Sequence, residues 1–189
     1  MNIRKATSED ASSIMEHMFL AMEDILYEFI GTKDADKARE LLLFFIAREN
    51  NQYSYQNCLV AEIGEEIAGS INIYDGARLQ ELREPVVRYI RTNFGLDFKP
   101  EDETERGEYY IDTLGVSPGY QGKGLGTEIL QFVIREYVNG LGRTIGLLVD
   151  VENQKAETLY LKLGFEMKGQ KVLAGKKMKH LQRQPDKDL

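Results

Sequence analysis

Apolar residues recur along the chain with two periods, one near three and a half residues and one near two. Met15, Met18, Phe19, Met22, Ile25, Leu26 and Phe29 follow the first, after Thr7, Ser8, Glu9 and Asp10, where a hydroxyl precedes an acid as at a capped helix start. Gly31 supplies a left-handed stop. Ala38, Leu41, Leu42, Phe45 and Ile46 predict a second helix over 34–48. The apolar runs 58–63 and 67–74 flank Gly64, Glu65 and Glu66, the pattern of an antiparallel hairpin, and residues 2–6 form a short polar-apolar segment before the first helix. Residues 75–107 break this rhythm. Leu79, Leu82, Val86 and Ile90 have a loose helical period, whereas 99–108 is acidic and polar, predicting a helix followed by an exposed loop. Residues 109–116 read as a strand rich in aromatic and branched side chains. A helix over 124–137 follows, ended by Gly140 and Gly142. The nearly continuous apolar run 144–151 predicts a strand covered on both faces, and 156–163 a helix closed by Gly164. Two short strands are expected at 165–168 and 176–180, then a polar tail from 182 to 189.

A length of 189 residues suits one domain over 1–181, within which 75–107 is a helix-and-loop insertion. With 24 Lys and Arg against 31 Asp and Glu, the net charge is -7, which argues against a phosphate-tracking surface and hence against nucleic acid. No apolar core follows Met1, and no stretch approaches the ~20 apolar residues of a membrane span, so a cytoplasmic, membrane-free protein is expected. Cys58 is the single cysteine and His17 and His180 are the only histidines, so neither a disulfide framework nor a metal site is expected.

The chemistry concentrates in a strand, a turn and a helix. Ser117, Pro118, Gly119 and Tyr120 lead into Gln121, Gly122, Lys123, Gly124, Leu125, Gly126 and Thr127. Three glycines in this short run let backbone amides turn inward around an anion, and the helix start adds unpaired N–H groups and a favourable dipole. A phosphate or diphosphate is the natural guest; the plain alternative is a glycine turn. A nucleoside-triphosphate loop fails here, because Leu125 and Gly126 stand where lysine and a hydroxyl are needed. A dinucleotide fingerprint also fits poorly, since Thr127 replaces the third glycine.

This segment resembles the GCN5-related N-acetyltransferase (GNAT) superfamily, whose acyl-coenzyme A loop is Gln/Arg-x-x-Gly-x-Gly/Ala, present as Gln121, Gly124 and Gly126. Leu114, Gly115, Val116, Ser117 and Pro118 resemble the family's Leu-x-Val-x-Pro strand end. Asn153, Tyr160, Leu163, Gly164 and Phe165 are similar to its second coenzyme motif. Two motifs in the right order, covering roughly 109–165, are far more specific than either alone. The resemblance implies an α/β (α+β) fold with a mixed, mostly antiparallel sheet of six or seven strands flanked by helices, split between the strands starting at Tyr109 and Thr144. The insertion at 75–107 departs from it, because the family joins these strands by a short turn.

It further implies acetyl-CoA as cosubstrate, no metal, and direct transfer of acetyl to a primary amine of a small molecule or peptide in a ternary complex; a homodimer stays open. The amides of Gln121, Gly122, Lys123, Gly124, Leu125, Gly126 and Thr127 would hold the coenzyme diphosphate, and the backbone of Leu114, Gly115 and Val116 its pantetheine arm. Gly115 within a strand suggests either a bulge or a close backbone approach. Tyr160 is the implied general acid for the leaving thiolate, against a plain helix-packing tyrosine. Asn153 contacts the coenzyme, caps the next helix, or does both. Tyr110 and Asp112 share a strand face toward the acceptor, and Asp112 is the candidate base, with a water chain or a structural salt bridge as alternatives. Glu62 and Glu108 are lesser candidates, read as solvent-facing, and Glu101, Asp102, Glu103 and Glu105 as a solvated loop that attracts cations at most. A catalytically inactive acyl-CoA binding or sensing module is the rival from another class.

Overall fold

The computed structural model describes residues 1–186. Its strands are β1 (Asn2–Lys5), β2 (Cys58–Ile63), β3 (Glu66–Asp75), β4 (Glu108–Val116), β5 (Thr144–Asp150), β6 (Glu166–Leu173) and β7 (Lys176–Arg183). Its α-helices are α1 (Ala11–Ile30), α2 (Ala35–Ile46), α3 (Leu79–Phe94), α4 (Leu125–Val133) and α5 (Gln154–Lys162). The strands form one seven-stranded sheet in the order β1-β2-β3-β4-β5-β7-β6, in which only β4 and β5 run parallel. The period of two assigns the two faces. In β2, Cys58 and Val60 join the core made with α1, α2 and α3, whereas Leu59 and Ala61 join the core made with α4 and α5.

The helices start and stop where local chemistry directs. Asp34 Oδ1 accepts from the Lys37 amide at 3.1 Å to begin α2. Gly31 and Gly95, both left-handed, close α1 and α3. Helix α4 passes into a wider π turn over Ile134–Gly140 instead of remaining α-helical to Tyr137. Helix α1 bends at Met22, whose φ is -138°.

Three features of the sheet set up the site. Strand β4 pairs with β5 only from Glu108 to Ile111, against Thr144 to Leu147, and beyond that the two separate. The separation starts at a β-bulge: Ile73 faces Ile111 and Asn72 faces Thr113, so Asp112 has no partner on β3. A bulge bends its strand and re-aims the extra side chain. Gly115 is not the bulge. It answers a close approach by α1, because a Cβ there would overlap the backbone carbonyl of His17. Gly115→Ala is therefore expected to destabilise the fold by about 3 kcal/mol through overpacking against backbone. Urea unfolding would read this as a lowered midpoint with unchanged slope.

Several expected boundaries move. The hairpin β6–β7 is longer than the two short strands foreseen, and it turns at Ala174 and Gly175, both at positive φ. Strand β7 continues through Gln182 and Arg183, which takes these two residues out of the expected polar tail; residues 187–189 lie outside the described residues. The loop after α3 is not simply exposed. Glu103 and Thr104 are buried, and Lys171 Nζ of β6 donates to the Thr104 carbonyl at 3.0 Å.

Candidate active site

Beyond Ile111 and Leu147 the parting strands open a cleft of about 600 Å³ lined by Asp112 and Leu114 of β4, Leu148 of β5, and Asn153 and Tyr160 at and on α5. A second cavity, of about 560 Å³, lies between the bent helix α1, the loop after α3 and the β6–β7 turn. Asp112, Thr113, Leu148 and Met22 line both.

Strand β4 runs from the cleft into the glycine loop. Gly122 and Gly124 have φ of 74° and 89°, and a Cβ at either would meet open space, so left-handed backbone rather than crowding accounts for these glycines. The amides from Gly122 to Thr127 have no backbone hydrogen-bond acceptor among the described residues. They are the free donors of a helix start, in an exposed turn. Gln121 uses its side chain to close the loop, donating to the Val116 carbonyl at 2.9 Å. Lys123 Nζ lies 5.5 Å from the Tyr120 ring centroid. This donor set fits a diphosphate.

Tyr160 packs edge-on against Phe165 with ring centroids 5.7 Å apart, and its hydroxyl makes no hydrogen bond to another described residue. Burial raises its phenol above the ordinary value, so the proton stays in place at neutral pH. Asn153 Oδ1 accepts from the Ala156 amide at 3.1 Å, which makes it the cap of α5 while it also lines the cleft.

Asp112 belongs to a buried polar cluster. Gln52 Nε2 donates to Asp112 Oδ2 at 2.8 Å and to Glu103 Oε1 at 2.7 Å, and the Tyr74 hydroxyl donates to Asp112 Oδ2 at 3.0 Å. Arg83 of α3 reaches Glu103 at 3.0 Å. Burial raises the Asp112 carboxyl, opposed by its hydrogen bonds from Gln52 and Tyr74. Glu103 is pushed up to about 7, first by burial and then by the charge of Asp112, with Arg83 pulling the other way.

The sequence-predicted residues thus fall into two groups. Tyr160, Asn153, Asp112 and Leu114 line the cleft and Tyr110 lines the adjoining cavity, whereas Gly115 lies under α1. Two carboxylates read as solvent-facing are committed elsewhere. Glu62 binds Arg4 at 2.7 Å, and Glu108, fully buried, accepts from His180 Nε2 at 2.9 Å and Gln182 at 2.7 Å.

The Acetyltransferase (GNAT) family model matches residues 19–165. The chain belongs to the GNAT family. The chain is 35% identical over 71 residues to the mycothiol acetyltransferase of Corynebacterium efficiens, a stretch covering 38% of this chain and 23% of that protein. It is 38% identical over 63 residues to the N-alpha-acetyltransferase RimI of Mycobacterium tuberculosis, covering 33% and 37%. The matched stretches therefore span well under half the length of these curated relatives. The crystal structure of an N-acetyltransferase from Staphylococcus aureus Mu50 superposes with a TM-score of 0.80 at 26% identity, over 97% of this chain and 100% of that one. The sheet order and its single parallel pair are the acetyltransferase fold expected from the motifs.

Motif reading misses the cluster around Asp112: its partners Gln52 and Tyr74, then Glu103 bridged by Gln52, and Arg83 paired with Glu103. One signal exists: Arg83 occupies the apolar face of α3 beside Leu82 and Val86, and a fixed charge there requires a buried counter-charge. His17, considered only as a metal ligand, instead lies between the Ser70 and Ser117 hydroxyls at 3.1 and 2.8 Å. Burial lowers its pKa to about 4, so it is a neutral bracket at the start of the glycine loop.

Proposed function

We propose that the protein transfers acetyl from acetyl-CoA to a primary amine by direct attack within a ternary complex. The observation that carries this reading is the convergence of Tyr160 and Asp112 on one cleft between parted strands that leads into a loop of free amides. Acetyl-CoA supplies the activated acyl group and a thiolate leaving group. The amides of Gly122 to Thr127 hold the diphosphate, and the unpaired edge of β4 at Leu114 and beyond offers backbone partners to the peptide-like arm.

An amine is protonated at neutral pH, so a base must first free its lone pair. Asp112 takes that proton; its carboxyl, raised by burial, matches the task better than an exposed aspartate. As the new C–N bond forms and the C–S bond breaks, Tyr160 gives its proton to the departing sulfur and regains one lost by the attacking nitrogen. One proton is released overall, the one Asp112 passes to solvent.

Release of free thiol from acetyl-CoA with a panel of amines tests the reading. Binding of acetyl-CoA without thiol release on any amine would favour the sensing module. Asp112→Asn is expected to lower kcat/KM about 100-fold at neutral pH. The deficit should shrink as the pH nears the amine's own pKa of ~10, where no base is needed. A pH-independent deficit in the rate profile would remove the base role.

A further inference from the structure

Resting on the transfer reaction proposed above, we infer that the cavity beside the cleft is the acceptor pocket, and that Glu103 with Asp112 holds in it the ammonium of a small amine. The rest of that amine is apolar and carries no carboxylate.

The cavity meets the donor cleft at Asp112, Thr113 and Leu148, so an amine seated in it faces the cleft. Each of the two carboxylates spends one oxygen on the protein: Glu103 Oε1 takes Gln52 and Arg83, and Asp112 Oδ2 takes Gln52 and Tyr74. Glu103 Oε2 and Asp112 Oδ1 have no hydrogen-bond partner among the described residues, and neither is sealed from the cavity. Two acceptor oxygens therefore remain for a donor that the protein does not provide.

A second, independent observation points the same way. Tyr53 and Tyr110 line the cavity while being only 3% and 2% exposed, and neither hydroxyl has a partner among the described residues. Neither hydroxyl is sealed off, so each is free to pair with a molecule in the cavity. An ammonium has three N–H groups, which suits two carboxylate oxygens and a phenol oxygen. Arg83 offsets one of the two carboxylate charges, so the cluster keeps a net charge of about -1 when both are ionised, enough for one cation.

The walls set the class of the remainder. Met22, Ile25, Phe29, Leu96, Phe98 and Leu148 form an apolar lining around this single polar end. Exposed Glu28, Asp97 and Glu101 stand at the margin against one lysine, Lys99, and like charges there disfavour a carboxylate-bearing amine. The loop that brings Glu103 is the segment between α3 and β4, so acceptor choice resides in that segment.

The test compares 2-phenylethylamine with phenylalanine, which adds only the carboxylate, and with spermidine and a peptide bearing a free N-terminus. Thiol release should favour 2-phenylethylamine in kcat/KM by at least about 100-fold over each of the others. Glu103→Gln, which preserves shape, should raise KM for 2-phenylethylamine at least about 10-fold, with kcat within about 3-fold and the calorimetric Kd for acetyl-CoA unchanged. A purely structural role would instead shift the melting temperature and leave KM alone. Better turnover of phenylalanine, spermidine or the peptide, or an unchanged KM in the variant, would overturn the inference while the transfer reaction stands. Absence of acetyl-CoA binding, or of thiol release with every amine, would remove the transfer reading itself and this inference with it. Should Glu103→Gln not fold, the four-amine comparison on the unaltered protein decides alone.

Discussion

Gly124→Glu is expected to weaken acetyl-CoA binding by at least about 100-fold while leaving the chain folded. Gly124 has φ of 89°, a conformation that costs an L residue roughly 1–2 kcal/mol, yet nothing lies within 4 Å of a Cβ built there. The substitution therefore brings modest strain and no clash. What it adds is a carboxylate in the middle of the amides from Gly122 to Thr127, which have no backbone acceptor. Those donors would be satisfied by the protein's own anion, and the coenzyme's diphosphate would meet negative charge where it needs N–H groups. Calorimetry should show Kd rising by at least about 100-fold, with thermal unfolding lowered by only a few degrees. Affinity within a few-fold of the unaltered protein would show that the diphosphate sits elsewhere.

The second large effect is on turnover alone. Tyr160→Phe keeps the ring that packs on Phe165 and removes one hydroxyl, so both the fold and the lining of the cleft should persist. Because burial raises the phenol, the protonated form prevails at neutral pH and is available to the departing sulfur. Loss of a positioned general acid commonly costs ~100-fold or more, and kcat is expected to fall by about that factor with Kd for acetyl-CoA unchanged. Single-turnover measurement separates this from slow product release. An unaltered single-turnover rate would assign Tyr160 to packing.

The frame of the molecule is legible in the sequence because burial is periodic in it. The three-to-four spacing from Met15 to Phe29 reports which face is covered, and the apolar run 58–63 reports a strand covered on both, and the structure places them so. The glycine loop and the Asn153 cap are legible for a similar reason, since positive φ and free amides constrain residue type directly. Polar burial is harder to read. Glu103 lies in a run of acids that has every property of a solvated loop, and its partner Arg83 stands 20 residues earlier on another element. Gln52 and Tyr74 come from a loop and a strand with no local mark of joining them. Long-range pairing of this kind leaves no periodic trace. Strand β6 is exposed over much of its length and carries little apolar alternation, so the strands expected at 165–168 and 176–180 stop short of Leu173 and Arg183. At Gly115 the choice between a bulge and a close approach is decided by the carbonyl of a helix almost 100 residues upstream, a tertiary contact.

The unpartnered position at Asp112 ties access to reactivity. One surplus residue in β4 both carries the acidic side chain and ends the zippering to β5, so the two properties are inherited together. A substitution of Asp112 keeps the surplus residue and is expected to keep the strands apart. Removal of one residue from β4 is therefore expected to disturb the acidic position and the parting of the strands at once.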